Sequence, residues 1–245
     1  MINKKTKILI SGGSSGIGFH LVKNLLKDNY YIINLSRKKS NIKSKNLINI
    51  KCDLSNLKNL SLIEKKIKKH NIKIVINCAA DLGEVGYLNE INIKKWKNSF
   101  NLNLFSQVYL FKMLSENLIK NKGIAIFFSG GGSANSFPKF SSYSLAKTAI
   151  VRLVENIHDE FKSISAYCIA PGANNTRIYK NSEKYGHKVP KKKMVTPDFT
   201  YRLCNYLIKK NPSHLRGKFI HVKDDYKNKK IFSGENFFLR RKEIR

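Results

Sequence analysis

Short apolar runs alternate with stretches of helical spacing along almost the whole chain, and this alternation restricts the fold more than any other feature. The runs Lys7–Ser11, Tyr30–Leu35, Leu47–Asp53, Lys73–Ala79, Gly123–Phe128, Ile164–Ile169 and Lys218–Val222 read as strands. Between them, Ile17–Leu26, Leu60–His70, Ile93–Asn121 and Ser144–Lys162 place apolar residues at helical intervals, for example Leu145, Ala149, Leu153 and Ile157. Strands that alternate with helices pair in parallel, because each helix is the crossover that returns the chain to the same edge of the sheet. The expected fold is therefore α/β, a doubly wound parallel sheet covered on both faces. Sheets of this kind bind ligands at the carboxyl ends of their strands.

No internal repeat or linker divides the 245 residues, so residues 1–245 are expected to form a single domain. Thr176–Pro197, rich in lysine, fits neither a strand nor a helix. The longest apolar runs, Ile72–Ala80 and Ile124–Phe128, are far short of a membrane span. The opening MINKKTKILISGG lacks a long apolar region and a small-residue cleavage site, so no signal peptide is expected. Cys52, Cys78, Cys168 and Cys204 are widely spaced and form no CxxC or Cys/His cluster. They are expected to be reduced, in a cytoplasmic setting, with no metal site.

A net charge of +31, from 47 Lys+Arg against 16 Asp+Glu, raises the question of a polyanionic partner. The basic residues are spread through most helices and loops, with no arginine-rich arm and no nucleic-acid-binding module, so nucleic acid is not the expected partner. The same field would still draw in small anions.

The first strand runs into SGGSSGIG, residues 11–18, with Gly12, Gly16 and Gly18 opening a helix. Free N–H groups at a helix N-terminus attract phosphate, and a pyrophosphate can approach the backbone closely only where β-carbons are missing. The position after the first strand and before a helix makes this turn a candidate dinucleotide site. Later, KFSSYSLAKTA places Tyr143 and Lys147 four residues apart on one helical face. A phenol alone, with a pKa near 10, is a poor base, and a nearby ammonium favours the phenolate.

From about Lys7 to Thr176 these and further motifs resemble, in order, the short-chain dehydrogenases/reductases in their single-domain form, a family with the Rossmann fold. SGGSSGIG resembles the family's TGxxxGIG, with Ser11 in place of threonine, and implies cofactor contacts from Gly12, Ser14, Ser15, Gly16, Ile17 and Gly18. Cys52-Asp53-Leu54 resembles the strand end whose aspartate, here Asp53, contacts adenine. NCAA, Asn77–Ala80, resembles NNAG beside the cofactor and brings in Asn77 and Ala79; Ala80 departs from the usual glycine. FNLNL, Phe100–Leu104, places the active-site asparagine at Asn103, and YSLAK is YxxxK. PGANNT resembles PGxxxT, whose Pro171, Gly172 and Thr176 would border the nicotinamide.

The resemblance implies hydride transfer between a nicotinamide and a carbonyl or secondary alcohol. Tyr143 would exchange the proton, Lys147 would hold the nicotinamide ribose, and Asn103 would hold a water in a relay to Lys147. The second strand ends NLSRKK, with Ser36 where a carboxylate would favour NAD and Arg37 next to it, so NADP(H) is the expected cofactor and NAD(H) the alternative. The family's substrate-orienting serine, thirteen residues before the tyrosine, is here Gly130, within FFSGGGSANS. Ser129 is the expected substitute, reached by a shift of the pliable glycine loop, with Ser133 next. Residues 176–197 would be the substrate lid, and its basic residues Arg177, Lys180, Lys184, His187, Lys188 and Lys191–Lys193 point to a small-molecule substrate that is anionic, such as a phosphorylated or nucleotide-linked sugar.

Residues 223–245 form a basic C-terminal extension that resembles, with the SGGG…YSLAK arrangement, reductases found with bacterial surface-polysaccharide genes. The resemblance also implies a homodimer or homotetramer built through Ile93–Asn121 and Ser144–Lys162. The rival class is a non-catalytic dinucleotide sensor or scaffold on the same fold.

Overall fold

The computed structural model describes residues 6–232. It contains one seven-stranded sheet: β1 (Lys7–Ser11), β2 (Tyr31–Ser36), β3 (Leu47–Lys51), β4 (Ile74–Asn77), β5 (Ile124–Phe128), β6 (Ser165–Ala170) and β7 (Phe219–His221). Every pairing is parallel, in the order β3-β2-β1-β4-β5-β6-β7. The order turns back between β1 and β4, where adjacent connections leave to opposite sides and open a crevice at the strand ends.

The strand sequences are apolar on both faces because both faces are covered. Leu9 of β1 packs on one side with Leu110, Leu114, Ile150 and Val154, which belong to α4 (Ser106–Lys120) and α5 (Ser141–Glu160). Ile8 and Ile10 point to the other side and meet Leu21, Val22 and Leu25 of α1 (Gly16–Lys27) and Leu203 and Leu207 of α7 (Pro197–Lys210). Each such side chain, fully buried, contributes about 1.5–3 kcal/mol. α2 (Leu57–Lys68) completes the first layer through Leu60 and Ile67. It is capped by Asn56, whose side chain accepts the Lys58 amide.

Three departures from the sequence reading follow from tertiary context. The expected helix Ile93–Asn121 is divided into α3 (Ile93–Phe100) and α4 by a π-helical turn, Asn101–Phe105. The segment that fitted no element folds in part: Thr176 caps α6 (Arg177–Glu183), its side chain accepting the Tyr179 amide, and Lys191–Lys193 make a single 3-10 turn. α7 carries no run of regular apolar spacing strong enough to mark it, yet Pro197 at its first turn and Asn211 in the left-handed region just after Lys210 are ordinary helix start and stop signals. Of the expected basic extension 223–245, the part beyond Phe232 lies outside the described residues.

Candidate active site

The glycine turn is held from below by β4. Ser11 at the end of β1 accepts the amides of Cys78 (3.1 Å) and Ala79 (3.2 Å). Gly12 has φ +76°, and a β-carbon on it would stand 2.8 Å from the Ala79 Cα. A β-carbon on Gly18 would run into the Gly12 carbonyl oxygen. The turn thus lies flat on the β4 end only because these residues lack side chains. Gly16 faces Thr176: its β-carbon would be 3.4 Å from the threonine methyl, so the first and the last of the expected cofactor motifs meet. Ser15 occupies the N-cap of α1 in extended conformation, but its hydroxyl accepts none of the opening amides. Ser14 and Ile17 are half-buried beside it.

Asn77 is completely buried, and neither polar atom of its amide has a partner among the described residues. A buried amide without partners is costly unless something else binds it. Pro171 and Gly172 are fixed from the PGANNT loop itself, where Asn174 donates to both carbonyls at 2.7 and 3.0 Å. Asp53 lies two residues beyond β3, half-buried, with one carboxylate oxygen taken by the Ser55 amide and hydroxyl. Arg37 is exposed just past β2, followed by Lys38 and Lys39. Ser36 is buried and donates to the Lys38 carbonyl at 2.7 Å, so it bends this basic loop back over the strand end.

The sequence reading missed two residues here. Asn34 and Asn49 are joined at 2.8 Å, and Asn34 accepts the Gly13 amide at 3.0 Å while Asn49 accepts that of Ser40. The signal was a lone amide inside the apolar run YIINLS. Its role is to tie the glycine turn to the basic loop.

Tyr143 and Lys147 stand one turn apart on α5, below β5. Lys147 is 1% exposed; its ammonium donates to the Phe128 carbonyl at 2.8 Å and lies 5.6 Å from the centre of the Tyr143 ring. Burial lowers the Lys147 ammonium to about 8, against the opposing pull of Cys78, Cys168 and Asp81. The phenol moves opposite to expectation: burial, then Cys78 and Asp81, push Tyr143 up to about 12. Desolvation thus outweighs the neighbouring ammonium, and the phenol keeps its proton near neutrality.

Asn103 sits in the π-helical turn, fully buried. Its side chain donates to Asp81 O (2.9 Å) and Ser99 O (3.1 Å) and accepts the Asp81 amide, and the Gln107 amide donates to its carbonyl at 2.9 Å. The Asn103 side chain thus holds the loop after β4 to the π-helical turn. π turns commonly mark functional positions, and this one turns the asparagine inward.

Both serines expected as substitutes donate their hydroxyls to backbone carbonyls. Ser129 is buried and its hydroxyl donates to the Lys147 carbonyl at 2.7 Å, while its amide pairs with Ile169. Ser133 is spent on the Gly130 carbonyl at 2.7 Å. The loop is held in register by the two Ser129 hydrogen bonds. Gly132 has φ +86° and lies so close to α5 that a β-carbon would collide with the Ser144 side chain. Gly130 itself faces the phenol.

The reading also missed an aromatic wall. Phe137 stacks on Phe140 at 4.3 Å, and meets Tyr143 edge-on at 6.5 Å and His187 at 4.6 Å. Tyr179 ties the segment after α6 back to that helix, accepting the Val189 amide at 3.1 Å. The cations of residues 176–197, by contrast, are exposed.

A family model described as short chain dehydrogenase matches residues 6–185. An uncharacterized oxidoreductase of Schizosaccharomyces pombe is 28% identical over 236 residues, covering 88% of this chain and 96% of the relative. A 3-oxoacyl-acyl-carrier-protein reductase of Buchnera aphidicola subsp. Baizongia pistaciae is 27% identical over 239 residues, 91% of this chain and 97% of the relative. A short chain dehydrogenase family protein of Francisella tularensis superposes with a TM-score of 0.79 at 24% identity, covering 89% of this chain and 97% of that structure.

Proposed function

Because the chain belongs to the short-chain dehydrogenase family of NAD(P)-dependent oxidoreductases, we propose that it interconverts a ketone and its secondary alcohol with NADP(H) as the preferred cofactor. One observation carries the reading: a phenol and a buried ammonium, one helical turn apart, stand at the same strand ends as a turn made flat by Gly12 and Gly18. A folded scaffold or sensor would not need a desolvated lysine there, where its charge is costly.

The residues fit a nicotinamide dinucleotide. Gly12, Ser14, Ser15, Gly16, Ile17 and Gly18 would take the pyrophosphate on the α1 amides, Asp53 the adenine, and Asn77, Ala79, Pro171, Gly172 and Thr176 the nicotinamide half. When bound, that group supplies the hydride. Tyr143, protonated, donates to the carbonyl oxygen as the hydride arrives at carbon. Lys147, its ammonium weakened by burial, is poised to hold the ribose and to share a proton near neutrality. Asn103 positions the loop at Asp81 that borders them. Ser129 acts through the backbone of Lys147 and not on the substrate.

The preference for NADP(H) over NAD(H) rests on the basic loop. Arg37 is exposed beside Ser36, and the nearby Ser40 hydroxyl is buried with no partner among the described residues. A guanidinium grips a phosphate in bidentate fashion. Fluorescence titration of wild type and Arg37→Ala with NADPH and NADH tests this. NADPH affinity should fall about tenfold in the variant with NADH unchanged. Tighter NADH binding by the wild type, or an Arg37→Ala variant that loses nothing, refutes it.

The relative's named substrate is a 3-oxoacyl chain, and the class carried over is the ketone alone. The exposed lid cations favour an anionic small molecule by long-range attraction. The charge is spread too evenly to favour nucleic acid. Among the described residues no helix is long and apolar enough to cross a membrane. The free cysteines suit the cytoplasm. Phe105, Val108 and Leu145, exposed on the π turn, α4 and α5, favour a homodimer or homotetramer through that face. We read the chain as one domain with residues 176–197 as its substrate lid.

A further inference from the structure

A β-carbon on Gly130 would stand 3.5 Å from the Tyr143 hydroxyl oxygen, and apart from its chain neighbours no other described atom lies within 4 Å of that point. Space for a side chain therefore opens at Gly130, beside the group that gives up the proton. The hydroxyls on either side do not enter it. Ser129 is committed to the Lys147 carbonyl and Ser133 to the Gly130 carbonyl. Gly132, wedged against Ser144, bars the longer slide that would bring in Ser133, and Ser129 is pinned by its hydroxyl to Lys147 and by its amide to Ile169. Phe137 forms the neighbouring wall, its ring edge-on to Tyr143 and packed over Gly131.

A carbonyl oxygen that is about to become an alkoxide gains from a second donor besides the phenol. We propose that the substrate brings this donor itself: the notch at Gly130 is a subsite for a hydroxyl on the carbon next to the carbonyl, and the enzyme prefers α-hydroxy ketones carrying a flat apolar group. The α-hydroxyl fills the notch and donates to the carbonyl oxygen, while the flat group lies along Phe137. The carbonyl carbon accepts the hydride and its oxygen the Tyr143 proton, giving a vicinal diol as the nicotinamide is oxidised. Gly130 then sets specificity through an absent side chain. This inference rests on the ketone-reductase reading above.

Acetophenone and 2-hydroxyacetophenone differ only in the α-hydroxyl and probe it directly, with NADPH as reductant. Wild type should favour the hydroxy ketone in kcat/KM by on the order of tenfold, the worth of one net hydrogen bond. Gly130→Ser, at a position with no positive φ and open space for the side chain, should raise kcat/KM for acetophenone and lower it for the hydroxy ketone. Gly130→Ala fills the notch without a donor and should lower the hydroxy ketone without helping acetophenone. Calorimetry on the NADP⁺-loaded protein gives an independent readout. 1-Phenylethane-1,2-diol should bind more tightly than 1-phenylethanol, and Gly130→Ser should reverse the order. Equal use of the two ketones, reduction of other ketones but neither of these, or a Gly130→Ser variant that shifts both substrates alike overturns the proposal while leaving the oxidoreductase reading intact. Failure to reduce any carbonyl despite tight NADPH binding removes both.

Discussion

Lys147→Met isolates the consequence of burying a cation with little to pair it. The ammonium is 1% exposed and falls from an ordinary 10.5 to about 8, chiefly through desolvation. Cys78 and Cys168, whose thiols burial pushes up, are neutral near pH 7, which leaves Asp81 as the charged neighbour. A difference of that size makes the protonated form about 3 kcal/mol less favourable in the folded chain than in the unfolded one. The penalty is complete below pH 8, where both states carry the proton. It is relieved as pH rises from 8 towards 10.5, where the unfolded chain keeps the proton and the folded chain does not. Methionine removes the penalty but strands the Phe128 carbonyl, which costs about 1–3 kcal/mol. The absolute change at pH 7 is therefore small. The pH dependence of the difference is not: between pH 7 and 9.5 the wild type should gain about 2 kcal/mol on the variant. Tyr143, raised to about 12, erodes stability only above pH 10 and does not interfere. Urea midpoints of the two proteins at matched pH values measure the gap. Parallel curves from pH 7 to 9.5 would show that Lys147 is solvated and refute the argument.

Gly18→Ala should fail to bind NADPH and lose at least about 3 kcal/mol of stability, because its β-carbon meets backbone and not a movable side chain; a thermal melt that matches wild type would refute this. Tyr143→Phe should keep NADPH affinity and fold but lose about 10²–10⁴-fold in ketone reduction, as single-turnover rates would reveal. Ser11→Ala strips the Cys78 and Ala79 amides of their acceptor and should cost about 1–3 kcal/mol in urea, with Ser11→Thr restoring it; an unchanged midpoint in Ser11→Ala would discount that link.

The parallel sheet was legible because its inner strands are apolar on both faces and most crossovers repeat the helical period, although β2 and β3 are joined without a helix. The glycine turn and the Tyr143–Lys147 pair were legible because their spacing is local. What escaped the sequence depends on approach between distant segments. Ser129 looked available until the fold placed the Lys147 carbonyl 2.7 Å from its hydroxyl, eighteen residues along the chain. The phenol looked activated because spacing reports the lysine but not the desolvation of both groups. Asn34 and Asn49 lie on neighbouring strands whose register brings them level, and no motif marks that. The π turn breaks a stretch whose apolar spacing runs on without interruption.

That turn, Asn101–Phe105, takes in more residues per revolution than the helices on either side. Removing Asn101 or Leu102 from it would let α3 and α4 fuse into one continuous rod, and everything downstream would swing by about 100° about the axis. Asn103 would leave the Asp81 backbone, and Phe105 and Val108 would leave the outward apolar face in the same movement. The inner polar anchor and the outer greasy stripe are thus geared together, and a change of length ahead of Asn103 retunes both at once.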